Sequence, residues 1–549
     1  MPGATQIIGG REYVYIYKSV WNKEKQRSEQ KRQYIGRIVD GDFVPNKAYL
    51  LDPELQKLAQ ESNFSTTKSD KEVIQEITSK KHSPIPFTCC KRSFAGTTYL
   101  FDKIGEILGI EDDLKSCFPR RYKEMLSLAY FLALEPTSPL YRFKRWSASH
   151  DHPCGKDIPS QRSSEILPMV TESAKMEFLR SQAKRHPEND FMFYDSTSIS
   201  SYSEQLKQVK YGKNKDGDKL AQLNLSLLLG RSTGLPAYYR KIPGNITDVM
   251  TIKNLLAEVQ YLDLKKISLA MDRGYYSKKN INELFKYHYK FLVGAKISLK
   301  FIEEKIEQDR SEFTKWENYD SATGLFMKSY TINWEYEETK ARSGETVKGT
   351  RRMYLHIYFN EQKAIDARRR FSKELAILEE ELRTGKREKG HEKKYATYFN
   401  VTKTPVRGIK IELKQEKIDE KWKNYGYFAL LSNEVKDPAE AVNIYRSKDM
   451  IEKAFENLKD RLNMRRTVVS SEENMEGKLF LQYIALIYLL YIKYAMDKAG
   501  LFKKYTMQEL FDELDVIEIF KHPGKSAYYG EITEKQRELY VALGVEPPT

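Results

Sequence analysis

The segment Tyr445–Lys459 (YRSKDMIEKAFENLK) carries the side chains with the clearest chemistry. Ile451, Ala454, Phe455, Leu458 and Leu462 recur at helical spacing, so one face of this helix is apolar and turned toward a core. Tyr445, Glu452 and Lys459 are spaced seven and seven, two helical turns each, and Lys448 lies beside Tyr445 at i+3. One face then presents a carboxylate, a phenol and two ammonium groups, a set suited to holding metal and phosphate together. A surface helix with ordinary ion pairs has the same pattern, and the helix alone does not separate the two readings.

Two further carboxylates bear on the choice. Phe191–Ser200 (FMFYDSTSIS) is an apolar, aromatic and β-branched run, a buried strand with Asp195 in its middle. Ile267–Tyr275 (ISLAMDRGY) is a second apolar run that ends in Asp272 before a glycine turn. An aspartate in or at the end of a buried strand is costly unless its charge is compensated, and a divalent cation does this well. Either aspartate alone is equally well read as a hydrogen-bonded structural residue or a helix cap. Two such aspartates and a helical glutamate together favour a shared cation. Carboxylates are hard oxygen donors suited to Mg²⁺ or Mn²⁺, and too few histidines lie nearby for zinc.

In this order, Asp195, Asp272 and Glu452 resemble the DDE triad of cut-and-paste transposases built on a ribonuclease-H-like core. The helix is similar to the Y-x2-R-x3-E-x6-K signature of the insertion-sequence-four superfamily, through Tyr445, Lys448 in the arginine position, Glu452 and Lys459. Lysine keeps the charge there but loses the bidentate fork, which the adjacent Arg446 is placed to supply instead. Pro243–Asp248 (PGNITD) and Arg461–Val468 (RLNMRRTV) resemble the sixteen-thirty-four branch of that group. The resemblance implies two Mg²⁺ or Mn²⁺ ions per site, about 3.5–4 Å apart, held by the three carboxylates with Asp195 bridging. It also implies DNA contacts by Tyr445, Arg446, Lys448, Lys459, Arg461, Arg465 and Arg466. The implied activity is cleavage of terminal inverted repeats and their joining to target DNA. Partners would be double-stranded DNA and, because an element has two ends and the chain one triad, a second copy bound on DNA. A domesticated metal-dependent nuclease or recombinase, or a non-catalytic DNA-binding repressor on the same core, is the alternative.

Composition agrees. The chain has 549 residues, a formal net charge of +15 and a sequence pI near 9.1, the footprint of a polyanion-binding protein. The 37 tyrosines suit base stacking or, equally, strand and core packing. Cys89, Cys90, Cys117 and Cys154 lack zinc spacing, which fits reduced thiols in a cytoplasmic, nucleoid-associated prokaryotic protein. No secretory pattern opens the chain. The most apolar run, Leu479–Ile492, has 14 residues, too few to span a bilayer about 30 Å thick, and reads as a buried helix with no membrane role.

The elements that must position these residues predict an α/β chain. It has a ribonuclease-H-like catalytic core interrupted by a β-rich insertion domain, preceded by an N-terminal β-hairpin and a helical DNA-binding region. The hairpin region covers 1–60, with strands Tyr13–Tyr17 and Tyr34–Val39 around a basic loop, Asn22–Gln33, read either as a DNA contact or as a solvated tip. A linker follows at 61–96, centred on the polar stretch 62–84. The helical region at 97–188 includes a buried helix at Arg120–Glu135 and helices capped by Ser160 and Thr171. Arg162, Arg180, Lys184 and Arg185 on those helices fit either a helix-turn-helix module or a scaffold. The core occupies 189–297 and 426–500, the insertion 298–425, and a helical region 501–549. Within the core, the strands bearing Asp195 and Asp272 are expected to be neighbours. Trp334 and Trp422 in the insertion read as core or as base-stacking residues.

Overall fold

A computed structural model describes the chain except residues 1–2, 9–10, 23–26, 40–41, 61–89, 204, 216, 265, 340–345, 405–407, 468 and 470. Residues 61–89 of the expected linker at 61–96, and Lys23 and Lys25 of the basic loop, lie outside the described residues; the end of that linker forms a strand, Lys91–Phe94. The chain divides into two units, Met1–Cys90 with His522–Gly524, and Lys91–Lys521 with Lys525–Thr549.

In the first unit the hairpin grows into a four-stranded antiparallel sheet of β1 (Gly3–Ile8), β2 (Arg11–Asn22), β3 (Arg27–Val39) and β4 (Asp42–Pro45), in that order. Helices Lys47–Leu51 and Pro53–Gln60 cover one face, where Val14, Ile16 and Ile35 meet Tyr49, Leu55 and Ala59. The basic loop is shorter than expected. Arg27, Lys31 and Arg32 belong to β3, because the alternating pattern that marks strands 13–17 and 34–39 is too weak to show how far the ribbon runs beyond its core.

The second unit opens with β5 (Lys91–Phe94) and continues into helices. The helix Tyr122–Leu134 is buried as expected. Thr171 caps the helix Glu172–Ala183 by accepting from the Ala174 N–H at 3.3 Å. Ser160 does not cap: it is the first residue of the helix Ser160–Ile166, behind Pro159. Several basic side chains of this region are engaged within the fold, while Arg120, Arg142, Lys144, Arg145 and Lys184 are exposed. Arg162 pairs with Glu165, Lys175 with Glu172 and Glu476, and Arg185 with Asp113, while Arg180 lies 5.9 Å from the Tyr261 ring centre.

A mixed ten-stranded sheet carries the rest. Its strands are β6 (Phe191–Ser201), β7 (Gln222–Gly230), β8 (Pro236–Pro243), β9 (Ser268–Met271) and β10 (Lys290–Ala295), then β11 (Tyr319–Asp320), β12 (Leu325–Thr339) and β13 (Thr346–Phe359). The strands β14 (Phe399–Thr404) and β15 (Gly408–Leu413) form a separate hairpin, and β16 (Tyr427–Ser432) and β17 (Arg466–Thr467) rejoin the large sheet. The order is β11-β12-β13-β16-β10-β9-β6-β7-β8, with β17 beside β6. β6 and β9 are parallel neighbours over Phe191–Tyr194 and Ser268–Met271, and the mostly apolar character of these paired stretches follows from burial on both faces.

The expected insertion is not one body. β12 and β13 extend the large sheet through antiparallel pairing of β13 with β16. Only the following stretch has its own small core, where Phe371, Leu375, Leu378 and Leu382 of the helix Glu361–Thr384 meet Tyr395, Phe399 and Ile418. Trp334 is buried and donates to Asn282 Oδ1 at 2.8 Å, and Trp422 packs against the small core. Both indoles are therefore packing residues. The apolar C-terminal run belongs to a helix of 27 residues, Glu472–Lys498. It is long and apolar enough to cross a membrane by composition, but most of its apolar stretch is buried inside the fold, as expected of a core helix.

Candidate active site

Parallel pairing places the two aspartates together. Tyr194 of β6 is in register with Met271 of β9, so the next residues along fall side by side, Asp195 in the middle of β6 and Asp272 just past the end of β9. Asp272 then turns the chain by accepting the Arg273 N–H at 2.7 Å at the head of a short 3₁₀ turn. On its other side Met271 pairs with Val293 of β10, which sets Gly294 against Asp272. A Cβ on Gly294 would lie 2.9 Å from both the Arg273 nitrogen and the Tyr445 hydroxyl, so glycine is what lets Tyr445 reach the aspartate.

The signature segment is not one continuous helix. Asp437 caps a first helix, Pro438–Arg446, the chain turns at Ser447–Lys448, and a second helix runs Asp449–Glu456 before a π-turn at Asn457–Arg461. The apolar stripe is as expected, with Ile451, Ala454, Phe455, Leu458 and Leu462 all buried. The polar face is shared differently. Tyr445 donates to Asp272 Oδ1 at 2.6 Å, and Lys448 donates to Glu452 Oε1 at 2.9 Å. The Lys448 ammonium also lies 3.9 Å from Asp195 Oδ2 and 4.0 Å from Asp272 Oδ2, so one buried cation is shared by the three carboxylates. The wider i→i+5 winding of the π-turn ends the seven-residue register, and Lys459 is absent from the lining of the cleft in front of Asp272. That cleft, of about 890 Å³, includes Tyr445, Arg446, Lys448 and Glu452 in its wall. Arg446 is exposed there and donates to the Thr323 carbonyl at 3.0 Å.

The remaining basic residues are elsewhere. Arg461 donates to Gln508 Oε1 at 2.7 Å and stacks over Phe511, a packing role. Arg465 is exposed and pairs with Asp460 at 2.7 Å. Arg466 lies in β17, beside Ser200 of β6.

Two residues that sequence reasoning did not place at the site stand beside Asp195. Lys215, from the loop between β6 and β7, is 3.4 Å from Asp195 Oδ1 and 3.3 Å from Asp248 Oδ2, and donates to the Ser196 carbonyl at 2.7 Å. Asp248 in turn accepts from Ser196 Oγ at 2.6 Å. Asp248 belongs to the PGNITD segment, in which no local pattern marks a position against β6. Lys215 sits in a polar loop with no local signal.

Burial pushes the Asp195 carboxyl above its ordinary range, and the nearby Lys215 and Lys448 ammoniums do not fully offset it. Burial acts on Asp272 in the same direction. There the Tyr445 hydroxyl, Lys448 and the Arg273 N–H outweigh burial and hold the carboxyl below its usual range. Burial also disfavours the Lys448 ammonium, but Asp195, Asp272 and Glu452 outweigh it and raise its pKa. Four carboxylates (Asp195, Asp248, Asp272, Glu452) against two ammoniums (Lys215, Lys448) leave a formal charge of 2 − 4 = −2. Hard oxygen donors with an uncompensated charge of that size fit a divalent cation. Among the described residues, the group whose ligand atoms lie within 4.8 Å of one another is Glu381, Glu388 and His391, which belongs to the separate small core region.

Three comparisons bear on this arrangement. No curated protein matches the chain. A cryo-EM structure of the piggyBac transposase synaptic complex with hairpin DNA is similar over 80% of this chain and 70% of that one, with 10% identity and a TM-score of 0.34. The family model described as Transposase DDE domain matches residues 186–490, a span that begins just before β6, takes in Asp195, Asp272 and Glu452, and covers more than half the sequence. By that match the chain is a member of the DDE transposase family.

Proposed function

We propose that the chain is the transposase of an insertion sequence, of the sixteen-thirty-four branch of the insertion-sequence-four superfamily, and that it cuts terminal inverted repeats and joins them to target DNA. The observation that carries this reading is the Lys448 ammonium shared by Asp195, Asp272 and Glu452 at 3.9, 4.0 and 2.9 Å, three carboxylates converging on one cationic point. The β6-β9-β10 arrangement with flanking helices supports a ribonuclease-H-like core.

Asp195, Asp272 and Glu452 would hold Mg²⁺ or Mn²⁺, two ions per site, which when bound lower the cost of charge developing at a phosphodiester. The chain's own groups do the rest. Tyr445 fixes the rotamer of Asp272 through its 2.6 Å hydrogen bond. Lys215, Lys448 and Arg446 present positive charge to a phosphate entering the cleft, and Ser196 and Asp248 hold Lys215 beside Asp195. The working assembly is a dimer on two ends, in the cytoplasm. The test is strand transfer: the chain, a duplex of the DNA flanking its coding sequence, a target plasmid and Mg²⁺. Joined products with a target duplication of fixed length are expected; nicked products without joining would reduce the function to a nuclease.

A further inference from the structure

The hairpin of β2 and β3 outruns its own core. Helices cover the sheet only as far as Ile16 and Ile35, yet pairing continues through Lys18↔Lys31, Ser19↔Gln30, Val20↔Glu29, Trp21↔Ser28 and Asn22↔Arg27. These five pairs make a ribbon about 17 Å long, at about 3.4 Å per residue. Val20 and Trp21 point to opposite faces and are 39% and 63% exposed, so among the described residues of its unit neither face of the ribbon is covered. A bare two-stranded ribbon gains little stability by itself.

The charge on this ribbon is as unusual as its exposure. Lys18 and Lys31 are direct cross-strand partners, a like-charge pairing that disfavours the free fold. Arg32 follows on the opposite face, its guanidinium 4.9 Å from the Tyr15 ring centre and bonded to Gln6 Oε1 at 2.7 Å, which fixes its direction. Among the described ribbon side chains the acidic one is Glu29, which is 3.5 Å from Arg27 and accepts from Asn22 at 3.1 Å. A two-stranded ribbon fits the major groove of B-DNA, about 12 Å wide. Facing lysines become favourable when phosphates lie on either side.

We propose that this ribbon grips duplex DNA by entering the major groove, with Lys18, Lys31 and Arg32 against the backbones and Trp21 at the leading end. The inference rests on the transposase reading for the presence of DNA, and assigns the grip to a sheet rather than to the helices at 97–188. The test uses the full chain and a labelled 30-base-pair duplex of random sequence, with binding followed by anisotropy across a salt series. The triple variant Lys18→Ala/Lys31→Ala/Arg32→Ala should lose more than tenfold in affinity. Its log–log salt slope should fall by about 2.7, at about 0.9 per phosphate contact. Lys18→Arg/Lys31→Arg should bind as the parent does, which assigns the loss to charge, and the triple variant should keep the parent's circular dichroism spectrum. Methylation at guanine N7 should block binding. An unchanged slope in the triple variant, or interference only from minor-groove methylation, overturns the proposal. A parent chain that binds no duplex at all would instead overturn the transposase reading beneath it.

Discussion

Replacing Lys448 by methionine keeps the length of the buried side chain and removes its charge from the centre of three carboxylates. At an effective dielectric of 20, each ammonium–carboxylate pair at these distances contributes on the order of 4–6 kcal/mol of attraction before desolvation is subtracted. The Glu452 side chain is 56% exposed, so its share is mostly screened. What remains is loss of the cation from the buried Asp195 and from Asp272, for which about 3–5 kcal/mol is the expected cost. For a unit of roughly 450 residues, unfolding entropy near 2.1 cal/mol/K per residue makes about 1 kcal/mol equivalent to about 1 °C. Lys448→Met in EDTA should therefore melt about 3–5 °C below the parent. The reasoning predicts more than a loss. Without the ammonium the carboxylates have a stronger demand for another cation, so Mn²⁺ should raise the apparent Tm of Lys448→Met by several degrees more than that of the parent. Differential scanning fluorimetry across a Mn²⁺ series measures both. Equal melting in EDTA together with equal Mn²⁺ shifts would refute the shared-cation account.

Three further outcomes are expected. Gly294→Ala should displace the Tyr445 hydroxyl from Asp272 and cut cleavage at least tenfold while duplex binding is unchanged; normal cleavage would show that the Tyr445 contact is dispensable. Asp248→Asn should weaken the hold on Lys215 and raise the Mg²⁺ concentration needed for half-maximal cleavage, with little change in rate at saturation; an unchanged metal dependence would remove Asp248 from the site. Burial among Phe143 and Trp146 lowers the His152 pKa to about 4, so this residue stabilises the fold above its unfolded pKa of about 6.5 and loses that contribution as pH falls toward 4. His152→Gln should flatten the fall in stability between pH 7 and pH 5 by about 2 kcal/mol, read as about 2 °C in apparent Tm, and an unchanged pH profile would contradict it.

Much of the site was legible in the sequence because its parts are buried, and burial leaves a pattern. Asp195 and Asp272 stand out as lone charges in apolar strands, and the stripe through Ile451 and Phe455 marks the buried side of the Glu452 helix. What escaped notice depends on tertiary placement. Lys215 comes from an irregular loop and Asp248 from a turn, and nothing in either local pattern says that they meet at Ser196. The break at Ser447–Lys448 and the π-turn beyond Glu456 are invisible to a fixed helical period, so Lys459 was assigned to a face the winding does not maintain. The insertion at 298–425 differs from expectation for a related reason. The strand content of this stretch is carried by composition, but the pairing of β13 with β16 is a long-range choice of sheet edge that composition does not encode.

The central claim is that Asp195, Asp272 and Glu452 together hold the metal that cuts DNA. The most direct measurement is cleavage of a duplex carrying the DNA that flanks the coding sequence, in Mg²⁺ and in EDTA, by the parent and by Asp195→Ala, Asp272→Ala and Glu452→Ala, with duplex binding measured alongside. The account predicts cleavage by the parent in Mg²⁺ alone, and three variants that bind normally and do not cut. Cleavage at the parental rate by Asp195→Ala in Mg²⁺ would contradict it.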